Sequence, residues 1–121
     1  MRVFKSVILI VLLSQNSPLK ADELNICAVV DGPSKFNHQL IAVEGMASKV
    51  DKSSSRSGSK ETTFVLRNLS GCEVLVYFPG SSTLNKGDHV EVEGKFETER
   101  VRENSVFYNE VQARKITTLS R

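Results

Sequence analysis

Four carboxylates, Glu91, Glu93, Glu97 and Glu99, recur at odd positions along one stretch of this 121-residue chain. A nuclease or hydrolase using them would need them to converge on an arginine or a metal ion. Residues two apart on an extended chain instead line one face of a strand. The spacing therefore predicts a solvated wall. His38 and His89 fall in predicted turns without a neighbouring acid in a recognisable motif, so the many serines have no general base to activate them. His38 is read as a solvated polar residue. Cys27 and Cys72, far apart in sequence, combine with the two histidines into none of the close ligand pairs that zinc takes. The reading is non-enzymatic, with no cofactor and no metal site.

Residues 1–21 have the three-part layout of an export signal: Arg2 and Lys5, the apolar run Val7 to Leu13, then a polar stretch ending in Lys20-Ala21. That run is far shorter than the ~20 residues of a membrane span, and no later run approaches this length, so the mature chain is expected to hold no span. Cleavage is expected after Ala21; bulky Leu19 leaves an uncleaved signal anchor as the alternative. The destination is the periplasm or the medium. Of the 16 basic residues, Arg2, Lys5 and Lys20 leave with the signal, so 13 face all 14 acidic ones and the mature net charge is −1. A protein that holds nucleic acid mainly by neutralising phosphates carries a clear basic excess, so this balance weighs against a strong non-specific binder. Outside the reducing cytosol, two cysteines in a small domain favour a disulfide, which would contribute roughly 4 kcal/mol by closing its loop. Two buried thiols acting as small hydrophobes are the alternative.

The elements that must position any site are organised around Leu84 to Phe96. A Gly87-Asp88 turn feeds a strict alternation that puts Val90, Val92 and Phe96 on one face and Glu91, Glu93, Lys95 and Glu97 on the other, with Gly94 at a bend. Before it, Leu24, Cys27, Ala28 and Asp31 fall at helical spacing, ended by Asp31-Gly32-Pro33. A connector follows, whose Phe36 is expected to plug a barrel end. Five strands are predicted: Gln39 to Val50 through Ile41, Val43, Gly45 and Ala47; Glu61 to Asn68 with Phe64 and Leu66 inward; Cys72 to Phe78 with Val74, Val76 and Phe78 inward; the organising stretch on to Val101; and Val106 to Ile116 with Phe107, Val111, Ala113 and Ile116 inward. Asn68-Leu69-Ser70-Gly71 reads as a hairpin turn, and Asp51 to Lys60 and Arg102 to Ser105 as the longer loops. The division is a signal over 1–21, a helix and connector over 22–38, a barrel over 39–116 and a tail over 117–121.

Five strands, glycines bending the first and fourth, and a break between the third and fourth make an all-β fold, the five-stranded Greek-key OB-fold barrel with a short N-terminal helix. Leu40 to Gly45, Thr63 to Leu66, Cys72 to Phe78 and Leu84 to Gly94 resemble successive strands of the nucleic-acid-binding OB-fold group that includes anticodon-binding domains. Pro33-Ser34-Lys35-Phe36-Asn37 before the first strand is similar to small exported bacterial OB-fold proteins. The short helix usual between strands three and four is reduced here to Gly80 to Lys86. The resemblance implies a binding face on strands two and three, carrying Val65, Arg67, Leu75 and Tyr77, with Lys49, Lys52, Arg56, Lys60, Arg100 and Arg102 from the loops. Tyr77 beside an arginine suits stacking on a base or a sugar, and the loop cations suit phosphates. Glu61, Glu73, Glu99 and Glu103 interrupt that basic stripe. A haem chaperone of this fold would need a histidine after the fifth strand, and residues 116–121 contain none. The ligand implied is a single-stranded nucleic acid or another anionic oligomer. The alternatives are an envelope-protein interaction or envelope-stress module that binds no nucleic acid, and an oligosaccharide binder. Intact mass of exported protein checks the first expectation: the chain should begin near Asp22, and a mass that includes Met1 would contradict cleavage.

Overall fold

In the computed structural model, which describes residues 21–54 and 56–120, the alternation of the organising stretch is realised. Val90, Val92 and Phe96 are each 0% exposed, while Glu91, Glu93 and Lys95 turn outward. The elements run in order β1 (Asp22–Leu24), α1 (Ile26–Asp31), a 3-10 turn (Pro33–Lys35), β2 (Leu40–Ser54), β3 (Lys60–Arg67), β4 (Glu73–Phe78), β5 (His89–Arg102) and β6 (Ser105–Ser120). The signal expected over residues 1–21 lies, up to residue 20, outside the described residues.

The sheet closes on itself because β2 changes partners midway. Leu40 to Met46 pair antiparallel with β5, and Met46 to Ser54 pair antiparallel with β3. The ring continues through antiparallel β3–β4, parallel β4–β6 and antiparallel β6–β5. This is an all-β, OB-like barrel. Both mid-strand glycines stand where backbones come too close for a side chain. A Cβ on Gly45 would lie 2.6 Å from the Arg67 carbonyl oxygen, and one on Gly94 would lie 2.2 Å from that of Gln112.

Six strands form where five were expected. Leu24, placed on the helix by spacing, belongs to β1, which pairs parallel with Ile41 to Val43. The reason is a cap: the Asn25 side chain accepts from the Cys27 N–H at 2.7 Å, so the helix starts at Ile26 and the residues before it stay extended. Ile26 and Val29 then enter the core with Phe64, Leu66, Val74, Val76 and Val111, and Phe36 packs against its margin. Cys27 and Cys72 are joined, with Cα atoms 5.2 Å apart, tying α1 to the approach to β4. Asn68 brackets this bridge, accepting from the Cys72 N–H at 3.0 Å and donating to Asn25 at 3.2 Å. Between β4 and β5 there is no helix; Leu84, 1% exposed, fills the space, and Asp88 accepts from the Asn85 N–H at 2.9 Å.

Three further expectations are corrected. Glu97 is buried, because the connector lies along the edge of β5, where His38 N–H donates to Phe96 O at 2.7 Å and Thr98 N–H to the Asn37 side chain at 3.0 Å. The Asp51 to Lys60 and Arg102 to Ser105 loops are strand at both ends, so two hairpin arms extend from the barrel; the second turns through Glu103 and Asn104, both at positive φ. β6 runs past Ile116 to Ser120, and its Phe107 is half-buried on the arm, outside the core.

Val92→Asp places a charge in this core at a cost of several kcal/mol, comparable to a whole domain's ~5–15 kcal/mol. It should abolish the cooperative thermal transition, as Gly94→Ala should lower its midpoint, while Glu93→Ala melts like the wild type. Equal melting of all three would contradict the strand phase.

Candidate functional site

The outer face of β3 and β4 is built by alternation. With Phe64, Leu66, Val74 and Val76 buried, the residues between them turn out, and the register sets Thr63 opposite Tyr77, Val65 opposite Leu75 and Arg67 opposite Glu73. Val65, Arg67, Leu75 and Tyr77 thus share one face, as expected. Arg67 is exposed but faces Glu73 at 3.6 Å.

Two arms flank this floor. The β2–β3 arm carries Lys49, Lys52, Arg56 and Lys60, all exposed. Lys49 stands at a bulge with φ 50°, where the β2–β3 register shifts between Ser48 and Asp51. Among the described residues none of these four cations enters an ion pair, whereas Arg67, Lys95, Arg102 and Arg114 each do.

The β5–β6 arm behaves differently. Arg100 is half-buried on it. Arg102, expected as a solvated loop cation, is only 15% exposed: its guanidinium lies over the Tyr77 ring at 4.0 Å and the Phe107 ring at 4.2 Å from their centroids, and it pairs end-on with Glu110. Glu110 has 0% exposure; its Oε1 also accepts from Gln112, and its Oε2 has no hydrogen-bond partner among the described residues. The arm therefore folds back over β4 and β6, held by an arginine sandwiched between two rings and anchored on a buried carboxylate. Phe107, Glu110 and Gln112 were missed by sequence reasoning. Alternation places Glu110 and Gln112 outside the barrel, beside Leu75 and Tyr77, and only the arm overhead buries Glu110.

Each histidine does have an acid partner, contrary to expectation. His38 Nδ1 is 3.0 Å from Glu97 and His89 Nε2 is 3.0 Å from Glu44, on separate strands. Both are pairings with strand carboxylates, and among the described residues no group of three or more His, Cys, Asp or Glu side chains is arranged to hold a metal ion. Beyond Arg67 the outer face continues into an open groove of about 820 Å³, lined by Glu44, Met46, Ser48, Leu69 and His89 among others.

No family model matches the chain, and no curated protein does. Among solved structures the chain is similar to a small single-stranded DNA-binding protein from Streptomyces coelicolor, at 16% identity and TM-score 0.48, covering 68% of this chain and 93% of that one.

The two arginines at the site should separate sharply on truncation. Arg102→Ala leaves Glu110 as an unpaired buried charge and should cost ~3–5 kcal/mol. Arg67→Ala breaks an exposed pair and should cost ~0–1 kcal/mol. Urea unfolding of both variants measures the difference.

Proposed function

We propose that this protein is an exported, non-enzymatic binding module that holds a single-stranded nucleic acid, or another extended anionic polymer, across the outer face of β3 and β4. One observation carries the reading: Lys49, Lys52, Arg56 and Lys60, gathered on the β2–β3 arm with only Asp51 and Glu61 as acids among them, are all exposed and enter no ion pair among the described residues, beside a floor of half-buried apolar side chains. A mature chain of net charge −1 has no general excess with which to attract anions, so a local excess is where an anion would be held. The arm and floor are elongated: β3 alone, eight residues, spans roughly 25 Å at the usual rise of a strand. That length suits a chain of several phosphates, at the low end of the ~4–16 nucleotides an OB barrel covers. Leu75 and Val65 offer apolar surface to bases or sugars, and the exposed cations offer contacts to phosphates.

A second reading, an envelope-protein interaction module, is favoured by the groove beside the floor, where Met46 is 52% exposed and Leu69 fully so. A neutral saccharide would make no use of the unpaired cations.

Titration of a labelled mixed-sequence single strand at two salt concentrations tests the proposal, with a neutral glycan in parallel. Binding should appear at low salt and weaken as salt rises. In the Lys52→Ala/Arg56→Ala/Lys60→Ala variant the slope of log affinity against log salt should fall by about 2, since each phosphate contact on a single strand contributes ~0.7. Absence of strand binding at low ionic strength, where charges are least screened, would overturn the proposal.

A further inference from the structure

Arg102 lies over the ring that a ligand base would use. Its planar guanidinium occupies the space between Tyr77 and Phe107, at 4.0 and 4.2 Å from their centroids, which is where a flat heterocycle would sit between two aromatic walls. We infer that Arg102 is an intramolecular gate on the binding face: it fills the Tyr77–Phe107 slot in the free protein, and a base enters only when Arg102 leaves. This rests on the proposed single-strand reading.

The gate has a defined closed state. Arg102 donates to Glu110, which is 0% exposed and takes a second bond from Gln112, so withdrawing the arginine strips a buried carboxylate of its cation. That favours closure. A single strand can offset the loss on both sides of the exchange, because its base takes the guanidinium's place on Tyr77 and its phosphate gives the released guanidinium a new anion. The apparent affinity for a base-bearing strand is then reduced by the small fraction of protein in which the slot is open. The effect of removing Arg102 has the opposite sign from that of removing the β2–β3 arm cations. Loss of a phosphate contact weakens binding, whereas loss of the gate strengthens binding of bases and not of bare backbone.

The variant Arg102→Leu/Glu110→Gln removes both charges, so no unpaired ion is left in the arm. Arg102→Ala/Glu110→Ala, which removes the same two charges and empties the slot with smaller side chains, serves if the first double variant shows no cooperative melt. Each is titrated at low salt with a thymidine oligonucleotide and with an abasic oligonucleotide of the same length. The gate predicts thymidine binding about tenfold tighter than the wild type, as one newly stacked base would give, with abasic binding unchanged or weaker. Thymidine binding equal to or weaker than the wild type in a folded variant overturns the gate. If no protein binds either strand, the single-strand reading falls and the slot is judged by nitration of the two tyrosines, with Tyr108, 65% exposed, as the internal reference. Tyr77 should be protected in the wild type and reactive in the variant; equal Tyr77 rates in both would overturn the gate.

Discussion

The barrel depends on β2 exchanging one antiparallel partner for another within a few residues. Leu40 to Met46 lie against β5 and Met46 to Ser54 against β3, so the strand must coil sharply while its neighbours press in. Gly45 and Gly94 are the points of closest approach, and any side chain there would collide with a backbone carbonyl. Ring closure in turn sets every inward residue of β3, β4 and β5, and by alternation every outward one. The outer face of β3 and β4 is therefore a consequence of closure: Val65, Arg67, Leu75 and Tyr77 turn out because Phe64, Leu66, Val74 and Val76 must turn in.

The two hairpin arms use the same strand geometry for different ends. On the β2–β3 arm the cations stay exposed and, among the described residues, unpaired, so an external anion could meet them at little desolvation cost. On the β5–β6 arm Arg102 and Glu110 are drawn under cover and pair with each other, with the guanidinium over the Tyr77 and Phe107 rings. A buried ion pair of this kind contributes less to net stability than to a unique placement of the arm, because much of its attraction only offsets desolvation.

Core residues and strand identities were legible because alternation is a local property: Val90, Val92, Phe96, Val74 and Val76 can be placed from their own neighbours. Asn25 could be recognised as a helix cap only with hindsight, since helical spacing through Leu24 competed with it, and β1 was lost for that reason. The covering of Glu97 and Glu110 was not legible at all. Glu97 is enclosed by a connector some 60 residues earlier in the chain, where Asn37 reaches Thr98. Glu110 is enclosed by an arm whose fold-back has no signature in sequence alternation. The same limit applies to Arg102, which composition presents as one more loop cation and which the fold turns into a clamp on Tyr77.

The proposed seat of an anionic strand is the outer face of β3 and β4, against the β2–β3 arm. It is tested most directly by following backbone and arginine side-chain NMR signals of the mature protein while a mixed-sequence single strand is added at low salt. Such a strand should shift signals concentrated at Lys49 to Lys60, at Val65 and Arg67, and at Leu75 and Tyr77. Shifts confined to the groove around Met46, Leu69 and His89, or no shifts at saturating strand, would contradict it.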